Sequence, residues 1–330
     1  MPPMVLKGLG KALEEYLKEE IFPLLAPGPY GPIEVKPLAK EKPVYLFREK
    51  RGNLEVVGKF FQWGEIDATT ATRRMEREYQ NLLTLVRLGM DRGKYRVSRP
   101  LGRNPRLRGG LFTEKALGKD LDHYLEKAIL QGKEKEFKKK VKALARWLAR
   151  LHGKTEKKEP SHLLLAQQYL EKLLASLKQG EALDPKMEFS IRKHAGRWRQ
   201  CRPPEDGKVL VHGDATPTNF FFFGDTVTAI DLERTKEADR CWDLGFMAAE
   251  LKHYYLWKGG HRWQAEPFIR SLLKTYCRTL ETADMWIRVT KKLPFYMALG
   301  LLRIARNPWL HEEYRETIIR EAKECLKYGL

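Results

Sequence analysis

The sequence predicts an α+β chain in two parts, a small antiparallel sheet followed by a mostly helical region. Three observations carry that reading. Short apolar-alternating runs separated by polar turns crowd the first sixty or so positions. Apolar residues recur at helical spacing through most of the chain after residue 119. One strand-like ribbon, from "KVLVHGD" to "VTAID", interrupts the helices and gathers several acidic and amide side chains.

The first segment, "MPPMVLKGLGKALEEYLKEEIF", reads as an amphipathic helix. It has no apolar core ahead of a small-residue cleavage site, so it does not read as a signal peptide. "PLLAPGPYGP" breaks it. The runs "IEVKPL", "PVYLFRE" and "NLEVVGKFF" then predict three antiparallel strands, joined by the turns "AKEK" and "KRGN". "TTATRRMEREYQNLLTLVRLGM" has a helical period that sets Met75, Glu78, Leu82 and Leu85 on one stripe. The basic, Pro- and Gly-containing stretch from Tyr95 to Gly110 reads as irregular, and "GLFTEKAL" as a strand running into a linker. This divides the chain into an N-terminal lobe (1–113), a connection (114–118) and a helical lobe (119–330). Helices are expected at about 119–130, 134–152, 162–179 and 188–200. Four more are expected in "WDLGFMAAELKHYYLW", "WQAEPFIRSLLKTYCRTL", "MWIRVTKKLPFYMALGLLRIA" and "EEYRETIIREAKECLKYG". The four consecutive phenylalanines, Phe220 to Phe223, predict a strand buried on both faces.

Lys plus Arg number 62 against 43 Asp plus Glu, a formal charge of +19. Such a field favours an anionic partner. The densest basic run, "GKEKEFKKKVKALARWLARLHGK", is interleaved with Leu, Ala and Trp and reads as a helix with a solvated basic face. No dedicated nucleic-acid motif accompanies it. Arg99, Arg103, Arg106 and Arg108 form a second basic patch, suited to acidic surfaces or membrane headgroups. No apolar run is long enough to span a bilayer. Cys201, Cys241, Cys277 and Cys325 have neither metal-ligand nor redox spacing, as expected of a cytoplasmic protein with reduced thiols. The aromatic residues Tyr254, Tyr255, Trp257, Trp263, Trp286, Phe295, Tyr296 and Trp309 are expected mainly in the core, with an aromatic cage as the rival reading. Nothing in the sequence sets an oligomeric state.

The polar residues of the ribbon suggest a site. Asp214 and Asn219 flank the turn "ATPT", and Asp231 comes after the next hairpin, which would return it beside Asn219. An amide oxygen and a carboxylate are hard ligands suited to Mg²⁺, and no His/Cys set nearby would suit Zn²⁺. Asp214 is placed to reach a hydroxyl, and Glu233, two residues past Asp231, points to the same side of an extended chain. Taken singly, each residue suits a capped polar turn; their joint spacing is what points to a site.

"HGDATPTN" succeeded by "IDLE" resembles the signature of the aminoglycoside phosphotransferase and choline kinase family, small-molecule kinases with the protein-kinase fold. The resemblance runs from about residue 33 to 260 and is strongest over 211–243. It implies a bilobal, protein-kinase-like architecture binding ATP and Mg²⁺ between lobes. Asp214 would be the catalytic aspartate, Asn219 and Asp231 the metal ligands, His212 a structural support, and Glu233 a further contact to metal or substrate. Lys59 in "EVVGKFF" is similar to the lysine that meets the α- and β-phosphates. Glu78 is similar to its helix partner, with Glu76 as the rival. Backbone groups from Glu114 through Lys115 and Ala116 to Leu117 would meet adenine. His152 would be structural, and Asp243 in "DRCWDLGFMAAEL" would brace the catalytic loop or serve as an ordinary helix cap. Two departures matter. No glycine-rich GxGxxG loop joins the first strands, where Lys40 and Lys42 stand instead. Asp243 lies only twelve positions after Asp231, too few for a long activation segment. The expectation is therefore Mg-ATP-dependent transfer to a hydroxyl of a small molecule, with an anionic metabolite, a sugar or a lipid-linked sugar as acceptor. The alternative is a degenerate kinase-like protein that binds nucleotide or a partner without transfer.

Overall fold

The computed structural model describes residues 10–39, 42–161, 163–200, 206–259 and 261–328. Lys40, Cys201 and the first nine residues of the expected N-terminal helix lie outside the described residues. The chain forms two compact units. The first comprises the residues up to Leu117 together with Thr228–Arg234; the second comprises Gly118–Val227 and Thr235 onward. A seven-residue piece of the ribbon thus belongs with the first unit.

The first unit is built on a five-stranded antiparallel sheet. Its strands are β1 (Ile33–Pro37), β2 (Val44–Glu49), β3 (Glu55–Phe60), β5 (Pro100–Asn104) and β6 (Gly110–Glu114), ordered β1-β2-β3-β6-β5. Helix α1 (Gly10–Tyr16) continues through a wider turn to Ile21 and a tight turn at Phe22–Leu24. Its apolar side chains, Leu13, Leu17, Ile21 and Phe22, pack on Tyr45, Phe47, Val56, Phe60 and Phe112. The rings of Phe60 and Phe112 meet edge-on with centroids 5.9 Å apart, a favourable aromatic geometry. Along β3 the alternation turns Val56, Gly58 and Phe60 inward and leaves Lys59 on the opposite face. Helix α2 (Ala68–Arg87) begins at Asp67, whose side chain accepts the Thr70 N–H at 2.9 Å.

The stretch from Tyr95 to Gly110 is more ordered than its composition suggests, since it contains β4 (Tyr95–Val97) and β5. Strand β5 is the sheet edge, and its pairing with β6 shifts register between Pro100 and Gly102. An edge tolerates proline because the missing N–H costs no ladder bond there. The arginine patch is partly neutralised: Arg99 pairs with Glu114 at 2.7 Å, and Arg103 pairs with Glu76 and lies 4.2 Å over the Tyr79 ring.

The second unit is mostly helical, with α3 (Leu121–Gln131), α4 (Glu134–Thr155), α5 (Leu164–Gln179), α6 (Pro185–Gln200), α7 (Cys241–Gly259), α8 (Glu266–Leu280), α9 (Met285–Ala305) and α10 (Glu312–Tyr328). Helix α7 packs on α9 and α4 packs on α8. A Cβ on Gly245 would stand 2.4 Å from the Tyr296 Cβ, so α7 and α9 cross backbone against backbone. Short strands frame the turn of interest. Strand β7 (Lys119–Asp120) pairs with β9 (Phe220–Phe223), and β8 (Val209–Val211) pairs with β11 (Lys236–Ala238); β10 (Thr226–Ala229) comes after β9 and a turn. Gly118 has φ +89°, and a Cβ there would lie 1.9 Å from the Phe222 carbonyl oxygen, so only glycine fits.

The phenylalanine strand corrects one expectation. Phe220 and Phe222 are buried, but Phe223 is 60% exposed, so one face of β9 faces the core and the other does not. The aromatic residues also divide. Tyr255, Phe295 and Tyr296 are core, whereas Trp257, Trp263, Trp286 and Trp309 are exposed. Cys241, Cys277 and Cys325 are free thiols. Among the described residues no helix is long and apolar enough to cross a membrane.

Candidate active site

In the first unit, strand β3 and helix α2 bring one lysine to a cluster of acids. Lys59 Nζ lies 2.7 Å from Glu78 Oε2, 2.7 Å from Asp231 Oδ1 and 3.1 Å from Glu233 Oε2. The partner question left open by the sequence has a clear geometric answer. Glu78, 4% exposed, faces Lys59, while Glu76 looks outward to Arg103 and Gln80. Asn81, one turn beyond Glu78, donates from Nδ2 to the Leu232 carbonyl at 2.7 Å and so fixes the segment carrying Asp231 and Glu233.

Asp231 adopts φ +57°, a left-handed conformation uncommon for a non-glycine residue. Backbone strain of this kind gathers where a side chain must be aimed. Burial alone would push the Lys59 ammonium down, but the Glu78, Asp231 and Glu233 carboxylates outweigh it and hold the group protonated. Burial pushes the Glu78 carboxyl up to about 7, against the pull of Lys59 and with help from Asp231 and Glu233. Three carboxylates with ligand oxygens within 4.8 Å of one another face a single ammonium. That surplus of negative charge, all from hard oxygen donors, fits a divalent cation such as Mg²⁺.

In the second unit, the turn after β8 is held from below by Asp243. This residue is fully buried on α7 and accepts the backbone N–H groups of His212 at 2.7 Å and Gly213 at 2.9 Å. His152 Nε2 lies 3.1 Å from the same carboxylate, and His152 Nδ1 lies 2.9 Å from the Tyr276 hydroxyl. The helix cap is a different residue: Asp239 accepts the Cys241 N–H at 2.8 Å. Burial would raise the Asp243 pKa, but hydrogen bonding and charge from His152, the charge of His212 and the Gly213 N–H together hold it below the ordinary carboxylate value. His212 is itself buried against the rings of Trp147 and Phe220, with centroids 6.1 and 5.1 Å away.

Above this support sit Asp214 and Asn219. The Asn219 amide nitrogen donates to the Asp214 carbonyl at 2.9 Å, which leaves the amide oxygen as its ligating atom. Arg303, on α9, forms an ion pair with the Asp214 carboxylate. Glu250, on α7, is within electrostatic reach of Arg303, Asp214 and Asp122, and burial pushes its carboxyl up to about 7.

Asp214 and Asn219 belong to the second unit, and Lys59, Glu78, Asp231 and Glu233 to the first. Of the adenine-contact stretch, Glu114 already uses its N–H toward Arg99 and its carbonyl toward Ser98. The Lys115 side chain is bound to Glu55 at 2.5 Å. Among the described residues, Ala116 and Leu117 have no backbone–backbone partner. Sequence reasoning missed Arg303, Glu250 and Asn81. Arg303 had a usable signal, as the charged residue within the apolar run "MALGLLRIA".

The Phosphotransferase enzyme family model matches residues 35–286, more than half of the chain. No curated protein matches the sequence. Solved structures similar to this chain include choline kinase from Cryptosporidium parvum Iowa II, at 11% identity and TM-score 0.62, covering 96% of this chain and 95% of that one. A choline/ethanolamine kinase family protein from Mesorhizobium loti aligns at 16% identity and TM-score 0.60, covering 96% and 94% of the respective chains. Amicoumacin kinase hAmiN, solved with AMP-PNP, Ca²⁺ and Ami, aligns at 17% identity and TM-score 0.61, covering 97% and 93%. The chain therefore belongs to the phosphotransferase enzyme family, and its fold is protein-kinase-like.

Proposed function

We propose that this protein transfers the γ-phosphoryl group of ATP to an alcohol, with Mg²⁺ as its divalent ion. The observation that carries the reading is the grip of Glu78, Asp231 and Glu233 on Lys59. It supports a lysine held rigid and charged for phosphate oxygens, beside acids left over for a metal. Magnesium, when bound, neutralises the charge on those oxygens. In the first unit Asp231 is the ligand assigned to it, with Glu233 as a further contact.

Asp214 aligns the acceptor hydroxyl and takes its proton. Arg303 fixes that carboxylate in direction through their ion pair. His212 and Asp243 hold the turn so that Asp214 needs no rearrangement, and positioning of this kind supplies much of the rate gain in phosphoryl transfer. Lys115, Ala116 and Leu117 are assigned to adenine through backbone groups.

The acceptor is assigned to small polyhydroxylated compounds that are uncharged or carry an amine. Glu250, within electrostatic reach of Asp214 and Asp122, supports that choice over an anionic acceptor, because Arg303 is already spent on Asp214. Asp231→Ala tests the proposal. Magnesium-dependent ATP turnover should fall by about 10²-fold; turnover with an unchanged magnesium dependence in this variant would refute it.

A further inference from the structure

Part of the chain's excess positive charge is organised on two neighbouring helices. On α4, Lys138, Lys142 and Arg146 repeat at every fourth position, and on α8 so do Arg270, Lys274 and Arg278. Each row runs along one helix face, with a cation about every 6 Å over about 12 Å. The helices run in the same direction: Phe137 meets Phe268 near their N-termini, with ring centroids 4.9 Å apart, and His152 meets Tyr276 further along at 5.6 Å. The two rows therefore face each other in register across a cavity of about 410 Å³ that all six residues line. Among the described residues, none of the six lies within 4.0 Å of a carboxylate. Such a row is self-repelling, and an ordinary solvated helix face would intersperse acids with the bases.

The floor of the groove carries a second, independent signal. Ser271 is 7% exposed and lines the same cavity, and its hydroxyl has no hydrogen-bond partner among the described residues. Several helical hydroxyls do find a partner within their own helix. Thr84, Thr155, Thr279, Thr290 and Thr317 each donate to the carbonyl four residues earlier. A buried hydroxyl left unmatched is costly, and one facing six cations is placed to donate to an anion that they attract.

We infer that the α4–α8 groove is a binding site for a short chain of phosphate groups, as in a free oligophosphate or a multiply phosphorylated small molecule. The volume is that of a small-molecule site, and the cation spacing matches ligands with several charged groups rather than one. Single-stranded nucleic acid is disfavoured because its binding sites combine cations with aromatic stacking platforms, and no aromatic side chain lines this groove. The site is separate from Asp214 and its supporting turn, and oligophosphate binding there does not depend on the phosphotransfer chemistry.

The test uses the full chain with inorganic tripolyphosphate as probe. Binding is measured by calorimetry and located by protection of lysines from acetylation. Lys142 and Lys274 should be protected at least about tenfold more than the exposed reference residues Lys50 and Lys172. Orthophosphate should bind at least about tenfold more weakly than tripolyphosphate. Ser271→Ala should weaken tripolyphosphate binding by about tenfold, as expected for one hydrogen bond to a charged group, and it should fold normally because it removes only an unmatched hydroxyl. The pair Lys142→Glu and Lys274→Glu should abolish binding. Uniform protection of all lysines, equal affinity for orthophosphate, or unchanged binding by Ser271→Ala would overturn the assignment. So would tighter binding of a DNA duplex that protects the same lysines and ignores the Ser271 substitution, which would make the groove a nucleic-acid surface.

Discussion

Asp243→Asn isolates the support of the turn that carries Asp214 without touching any group assigned to substrate or nucleotide. The wild-type carboxylate is fully buried and accepts two backbone N–H groups, at 2.7 and 2.9 Å, as well as lying 3.1 Å from His152 Nε2. An asparagine of the same shape has only one acceptor oxygen, and its NH₂ must point at a former partner. The substitution weakens charge-assisted hydrogen bonds worth about 1.5–3 kcal/mol each and leaves at least one buried donor unmatched, at about 1–3 kcal/mol. A net loss of about 3 kcal/mol is expected in urea unfolding at pH 7, a large share of the roughly 5–15 kcal/mol of a typical domain.

The same residue gives a pH signature. The Asp243 pKa is depressed below 3.8 in the folded chain, so its contribution is fully present above the unfolded value and is lost as pH falls through the lower folded one. The variant should lack that part of the acid limb. Turnover should drop by about 10²-fold, the scale of a 1 Å misplacement of reacting groups, with the KM for ATP little changed. A variant within about 0.5 kcal/mol of wild-type stability and with unchanged turnover would refute the view that Asp243 holds the turn.

Two other substitutions probe separate parts of the account. Lys59→Met leaves Glu78, Asp231 and Glu233 without their cation; steady-state kinetics should show a raised KM for ATP and turnover lower by about 10²-fold, and wild-type kinetics would contradict the phosphate role. Asp206→Ala tests a buried network in which Asp206 binds Arg240 at 2.6 Å and lies 3.5 Å from Lys292, while Lys292 pairs with Asp239. Removing one partner from such a network costs about 3–5 kcal/mol, so urea unfolding should show a loss of that size, and a change below about 1 kcal/mol would contradict the role assigned to it.

The parts of this protein that could be read from its sequence are those encoded over short distances. The turn "HGDATPTN" and the acids of "IDLE" sit within 22 positions of each other, so residue types and spacing together pointed to a candidate site. The strand runs before residue 61 were legible because the turns between them are short and polar. Pairings between distant residues were not legible. Glu78 is the exception, since the helical period already placed it on the Met75–Leu82–Leu85 stripe, ahead of Glu76. Arg303 reaches Asp214 across 89 positions, and Asp206 meets Arg240 only because separate elements pack together. Strands β4 and β5 were hidden by Pro100, Gly102 and their arginines, which an edge position accepts and an isolated propensity reading penalises. The phenylalanine run misled for a related reason: alternation shows that neighbours face opposite ways, but not that both sides are covered.

Acceptor-dependent ADP release tests the central claim most directly. The purified chain would be incubated with ATP, Mg²⁺ and a panel of polyhydroxylated and amine-bearing alcohols, alongside Asp214→Asn. The account predicts that at least one alcohol stimulates release in the wild type, that omission of the metal abolishes it, and that Asp214→Asn lowers it by about 10²-fold or more while the KM for ATP stays close to normal. Release that proceeds equally well in Asp214→Asn, or magnesium-dependent nucleotide binding with no alcohol phosphorylated across the panel, would contradict it.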